Sequence, residues 1–458
     1  MIQRRERMKK SHSLLFVGLA LLAVSAWAAP VEISYMAWYN NTESEGQDVQ
    51  NQIDIFNAQY EGKIKVKLVM VPREGYEAKT NTMAAANKLP DATLLSEAMA
   101  LDFASAGLLA DVSSMYPKGE EPLKSLAFTF KGKPVAFSSA NEVLLTYYNK
   151  KLFDKAGVPY PPASAENAWT WAQFLDAAKK LTIDKNGKNA AQAGFDYKNI
   201  VQYGCDFNRE WWMWPIACYS NGGGLMSQDG KQLLINKPES LEAFQAIADL
   251  YSKHHVAPSR GDLRSMGSID VNLLTGKVAM ATSGQWEIGV SLKNSVPEGL
   301  DYGVGVLPKF KKALTYNTGA PYGIFKSSKH LGEAMTFIRW YASSTYPDGT
   351  FKPITLDGIT MPFLAKYYAS DKAMRSWADP AVTKTARPPF DQYKTAVIDY
   401  AANNAIQVPW YYFPGYNGFN DILSSGIEAV WNGEVTAKDY IAKIMPKLQT
   451  YFDAHKNK

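Results

Sequence analysis

Cysteine is nearly absent: the chain of 458 residues has two, Cys205 and Cys218. That count excludes a multi-disulfide framework and a cysteine-rich metal centre. Histidine is scarce as well. There are five, one of them His12, and none stands at ligand spacing to the cysteines, so neither a metal site nor a cofactor is expected. A charge excess is missing too. The formal net charge is +5, but the first 28 residues hold five basic residues and one acid, Glu6; the remainder carries 44 basic against 43 acidic residues, a net of +1. A chain this close to neutral offers no basic face to nucleic acid or to a membrane surface. The apolar run at 14–29 is shorter than the roughly 20 residues that a membrane span needs. There is no internal repeat, low-complexity tract or charge block.

What the N-terminus does have is the layout of a secretory signal. Arg4, Arg5, Arg7, Lys9 and Lys10 precede the apolar run, and Ala26-Trp27-Ala28 puts small residues at both cleavage-defining positions. Cutting after Ala28 leaves Ala29-Pro30 as the mature start. Neither cysteine is near that point, so a lipid-modified cysteine is excluded. An exported, unanchored, soluble chain is retained only behind an outer membrane, which points to a Gram-negative periplasm. In such an oxidising compartment Cys205 and Cys218, 13 positions apart, are expected to form a disulfide. A loop of that size would contribute about 3 kcal/mol.

About 430 mature residues exceed what one core supports, so two or more domains are expected. Val31-Glu32-Ile33-Ser34-Tyr35 alternates as a strand, and a helix with Val49, Ile53 and Phe56 on one face follows. Ile64-Lys65-Val66-Lys67-Leu68 alternates again, a helix near 75–88 follows, then a short buried strand at 92–95 and a helix at 98–106. Strand, helix, strand, helix predicts a parallel sheet covered on both faces. Residues 135–148 read as an extended segment too long for one strand, suited to passing between lobes. Helices are expected at about 170–181, 239–254 and 269–276, and helical stretches over 388–404 and 417–457. Asn221-Gly222-Gly223-Gly224 lacks the Lys-Ser/Thr of a phosphate loop and reads as a turn.

Four segments are more specific. They are Leu273-Leu274-Thr275-Gly276-Lys277-Val278-Ala279-Met280 with Ser283-Gly284-Gln285-Trp286; Thr146-Tyr147-Tyr148-Asn149-Lys150 with Ala156-Gly157; Leu89-Pro90-Asp91 running to Ala106-Gly107-Leu108-Leu109-Ala110-Asp111; and Tyr302-Gly303-Val304-Gly305-Val306-Leu307-Pro308 followed by Gly319. In this order and spacing the chain resembles the extracellular solute-binding proteins of ATP-driven carbohydrate importers, including the maltodextrin-binding proteins. The resemblance implies the α/β fold of type II periplasmic binding proteins, two lobes with a ligand cleft between them and a hinge crossed more than once. Its lobes would cover 29–139 with 322–365, and 143–318 with 370–458, with the hinge near 140–142 and 319–322. It further implies a non-enzymatic, monomeric carrier whose partners are a carbohydrate and the permease subunits of the importer.

A sugar needs planar polar partners for its hydroxyls and flat rings for its C–H faces. Asn208-Arg209-Glu210-Trp211-Trp212-Met213-Trp214-Pro215 resembles the family segment that supplies an aromatic platform and a polar neighbour, which puts Trp211 and Arg209 in those roles and leaves Trp214 to the core. The family more often has an acid where Arg209 stands. Trp286 matches a stacking position and Glu142, seven residues before Asn149, a hinge carboxylate. Trp38, Tyr39, Asn40 and Glu43 follow the first strand at its carboxyl end, where open α/β sheets bind ligands; Ser96 and Glu97 follow the third. Tyr322 lies where the chain returns through the hinge. From the aromatic cluster at 410–416 Tyr416 is the first candidate, and Arg387 is a further one. So many rings point to an oligosaccharide. An acidic sugar or polyol phosphate, paired with Arg209 or Arg387, is the alternative, and a glycosidase, which needs two carboxyl groups at a set separation, is the remote one. Edman sequencing of the exported protein is expected to begin Ala-Pro; a retained Met1 would remove the case for export.

Overall fold

The computed structural model of the chain describes residues 29–39 and 44–457; the expected signal segment, Asn40 and Glu43 lie outside the described residues. Two mixed sheets organise two α/β lobes. In the first, β1 (Val31–Ala37) pairs in parallel with β2 (Ile64–Met70) from Val31↔Ile64 to Ala37↔Met70, and with β3 (Ala92–Leu94). Alternation decides which residues face inward: Ile33, Tyr35 and Val66 meet Ile53 and Phe56 of α1 (Ser44–Gln59) in one core. The hairpin β4 (Ala127–Phe130) and β5 (Lys133–Ser138) lies at the other edge of the sheet.

The extended segment at 135–148 is two strands that belong to different sheets. β5 ends at Ser138, the chain crosses at 139–143, and β6 (Leu144–Asn149) opens the second sheet. That sheet also contains β7 (Ile183–Asp184), β8 (Ile200–Phe207), β9 (Val278–Gly284) and β10 (Tyr302–Gly305), in the order β10-β6-β9-β8-β7. Every residue of β9 is buried, as a central strand covered on both faces requires. The helix Trp171–Leu181, opened by a capping box of Thr170 and Gln173, and the helix Pro238–Ser252, with Phe244, Ile247 and Leu250 inward, complete this core.

The chain then returns. β11 (Thr315–Tyr316) pairs with β13 (Ala405–Ile406), and β12 (Pro321–Ile324) inserts antiparallel between β3 and β5. At the crossing Glu142 and Thr318 exchange both backbone hydrogen bonds, at 3.1 and 2.9 Å, and Asn317 donates to the Asn141 side chain at 2.6 Å. Gly319 has φ +145°, and a Cβ there would collide with Ser138 and the Ala140 carbonyl. Only glycine lets the two crossing segments lie this close.

The expected disulfide is not formed: both cysteines are free and buried. Cys205 sits in β8 with its thiol against the Val256 carbonyl, at 3.7 Å. Cys218 sits in the helix Pro215–Ser220, against the Ser240 carbonyl at 3.4 Å. The loop between them is short in sequence, but strand and helix aim the two thiols at different neighbours. Burial pushes both thiols well above the ordinary cysteine range.

Lys352 is the least conventional core residue. Its ammonium lies over the Trp340 ring at 4.0 Å and donates to the carbonyls of Trp340 and Tyr341, at the end of the helix Leu331–Ala342. A cation suits that helix end, yet burial lowers its pKa to about 7. The unfolded chain then binds this proton, and the folded one does not, between about 7 and 10.4. Stability carried by Lys352 therefore rises with pH across that window. Urea titrations at several pH values are expected to show the rise, and Lys352→Met to lose it.

Candidate ligand-binding cleft

The walls of the cleft are built where strands end. β1 runs out into Trp38 and Tyr39, both half-buried. Trp38 stands edge-on to Tyr76 of helix α2 (Tyr76–Ala85), 5.5 Å between ring centroids, and the Arg73 guanidinium covers it at 4.7 Å. β3 runs out into Ser96 and Glu97, the latter opening helix α3 (Glu97–Ser105). Ser96 is fully buried, its side chain does not cap that helix, and its hydroxyl has no partner among the described residues.

The floor is the crossing itself. Thr318, bridged to Glu142 by the backbone, also donates to Glu97 at 3.5 Å. Burial raises both carboxyl groups above the ordinary range; the Glu97 charge adds to the rise at Glu142, whereas Arg73 and Thr318 moderate it at Glu97. Tyr322, on β12 between Leu94 and Phe137, lies within electrostatic reach of Glu142 and Tyr39.

The opposite wall comes from the second lobe. The Gln285 N–H donates to the Val143 carbonyl at 2.8 Å, which ties the turn carrying Trp286 to the start of β6. The Trp286 ring folds back over Gly284, where a Cβ would collide with it, and meets Trp212 at 5.3 Å. Trp211, half-buried, packs on Trp410 at 5.0 Å and Tyr416 at 5.9 Å. Trp214 stacks on Phe244 in the core. The lobes meet on this side. Tyr411 stacks on Phe128 of the first sheet at 4.1 Å and lies within electrostatic reach of Glu97 and Glu142, and the Gly415 N–H donates to Asp102 of α3.

The structure thus places Trp38, Tyr39, Ser96 and Glu97 past the ends of β1 and β3, Glu142 and Tyr322 at the crossing, and Trp211 and Trp286 in the second lobe. Two expected cations are occupied elsewhere. Arg209 is buried with its guanidinium 4.0 Å over the Tyr251 ring and close to Asp206, whose pKa burial raises to about 6 in spite of it. It braces the loop that carries Trp211. Arg387 is buried and donates to the carbonyls of Thr355 and Leu356 and to Thr385. Its two terminal nitrogens are occupied by backbone, whereas its Nε has no partner among the described residues. Tyr416 is buried behind Trp211 rather than exposed beside it. Arg73, Trp212, Thr318 and Tyr411 were not foreseen. Arg73 stands at Val71-Pro72-Arg73-Glu74, just past the end of β2, a position equivalent to those that singled out Trp38 and Glu97. Among the described residues, no group of three or more His, Cys, Asp or Glu could hold a metal, and no helix is long and apolar enough to cross a membrane.

The raised carboxyl groups set a sign. The folded state keeps protons that the unfolded chain releases above about pH 4.3, so unliganded stability carried by this pair falls as pH rises through that range. Glu142→Gln is expected to flatten the fall and to raise the unliganded melting temperature at pH 8. An unchanged slope would mean that Glu142 ionises alike in the folded and unfolded chain.

Comparison with known proteins agrees with this architecture. Residues 51–384 match the family described as bacterial extracellular solute-binding protein. A sn-glycerol-3-phosphate-binding periplasmic protein of Agrobacterium fabrum is 25% identical over 321 residues, 68% of this chain and 65% of that protein. Among solved structures, an ABC substrate-binding protein of Listeria monocytogenes in complex with cycloalternan has a TM-score of 0.73 at 23% identity, covering 92% of this chain and 98% of that one. The GacH receptor of Streptomyces glaucescens, solved unliganded and with acarbose, has a TM-score of 0.71 at 20% identity, covering 93% and 99%.

Proposed function

The chain belongs to the family of bacterial extracellular solute-binding proteins, the non-catalytic carriers of ABC importers that hold a small organic ligand between two lobes, and we propose that its ligand is a neutral oligosaccharide. The observation that carries this reading is the composition of the cleft. Trp38 comes from one lobe, Trp211 and Trp286 from the other, and the Glu97–Glu142 pair lies between them. Rings on both sides suit the C–H faces of successive sugar units. Carboxyl groups suit their hydroxyls. A phosphate or carboxylate ligand would instead be set against two acids, with Arg209 and Arg387 engaged internally.

The mechanism is a shift of population. The ligand touches both walls, so it stabilises the closed arrangement, which the permease would recognise in the periplasm after removal of the signal segment. A polyol phosphate is the second reading, favoured by the name of the Agrobacterium relative and by Arg73, whose half-exposed side chain overlies Trp38. Protein unfolded and refolded to strip carried-over ligand can be screened by thermal shift. A ligand at 100 times its Kd stabilises by about 2.7 kcal/mol. Neutral di- or trisaccharides are expected to give that shift, and Trp211→Ala or Trp286→Ala to weaken binding at least about tenfold, in line with losing an aromatic platform. A salt-sensitive response to sn-glycerol 3-phosphate alone would replace the sugar reading with the second one.

A further inference from the structure

The ring of Trp38 is already covered. The Arg73 guanidinium lies over it at 4.7 Å, and Tyr76 stands perpendicular to it, 5.5 Å between centroids. Tyr76 cannot give way. It is fully buried, and its hydroxyl donates to the Leu94 carbonyl at 2.8 Å and meets the Thr93 hydroxyl at 2.7 Å. The indole is only half-buried, and the face it can offer a ligand is the one beneath the guanidinium.

Little holds the guanidinium there. The backbone of Arg73 is tied to the start of α2, its carbonyl accepting from the Tyr76 N–H at 3.3 Å, but the side chain is 52% exposed. Its ion pair with Glu77, at 3.6 Å, is an exposed pair one helical turn apart, a kind that contributes little. Glu97, past the end of β3, is a second carboxylate within its electrostatic reach. A planar guanidinium lies on an aromatic face much as the C–H face of a sugar does, so the two compete for one surface. Trp211 and Trp286 pack against other rings instead.

Resting on the oligosaccharide reading above, we propose that Arg73 is a specificity-determining residue of the cleft: a sugar unit reaches Trp38 only by displacing the guanidinium, which turns to the carboxylates of Glu77 or Glu97. A ligand that uses Trp38 carries the cost of that displacement. A ligand that binds through the second-lobe rings alone does not. Arg73 thereby sets which saccharides bridge the two lobes.

Arg73→Ala uncovers the ring, and Arg73→Lys keeps the charge without the planar stack. The probe is the neutral trisaccharide that gives the largest thermal shift with the wild-type protein. Calorimetry is expected to show it bound about two- to fivefold more tightly by Arg73→Ala, the scale of an exposed guanidinium–indole contact, with Arg73→Lys in between. The double variant is the second arm: in a Trp38→Ala background the gain from Arg73→Ala should vanish, because no ring is left to uncover. Unchanged affinity in Arg73→Ala overturns the proposal. So does weaker binding, which makes the guanidinium a direct ligand contact, and so does a gain that persists without Trp38, which reflects lost charge alone. If the wild-type protein responds only to sn-glycerol 3-phosphate, the oligosaccharide reading fails. The same variants measured with that ester then decide Arg73 separately: tighter binding that needs Trp38 keeps the cover, and weaker or unchanged binding removes it.

Discussion

Two backbone hydrogen bonds between Glu142 and Thr318 hold the strands that cross from one sheet to the other, and the rest of the molecule is arranged around them. Each lobe has its own sheet and core, yet β12, which completes the first sheet, arrives only after the chain has built the second. The crossing segments must run side by side without bulk between them. Gly319 meets that demand by leaving room for Ser138 and Ala140. Glu142 takes part in the crossing through its backbone, which sets its carboxyl group near that of Glu97.

That placement has an energetic consequence. A carboxyl group beside a second one, both withdrawn from water, resists ionisation, and burial is the larger cause at Glu97 and Glu142 alike. The chain leaves the pair without a buried cation. Arg209 is held by Asp206 and Tyr251, Arg387 by carbonyls, and Arg73 stays near the surface over Trp38. A floor of this kind favours polar, uncharged partners. The aromatic walls give area without long flexible side chains, so little conformational entropy is lost when a ligand settles between them.

Much of this was legible in the residues themselves. Alternation at 31–35 and 64–68 and the helices between them gave a parallel sheet, since period and order are local properties. Trp38 and Glu97 were candidates because strand ends line the clefts of such sheets, and Glu142 because of its spacing from Asn149 in the family resemblance. Other features depend on partners more than 130 residues apart. Nothing near Pro321–Ile324 indicates that it inserts between β3 and β5. The run at 135–148 reads as continuous because its pattern is strand-like throughout, and only the pairing of each half shows the break.

Side-chain direction separates the two levels most clearly. Sequence alone determined the class of fold and which rings and carboxyl groups are available. Tertiary structure decided which of them face the cleft. Cys205 and Cys218 are 13 positions apart but answer to different carbonyls; Arg209, two residues from a half-exposed tryptophan, turns into the lobe. Composition specifies what groups exist, whereas burial and hydrogen-bond satisfaction, which involve the whole chain at once, determine what each is free to bind.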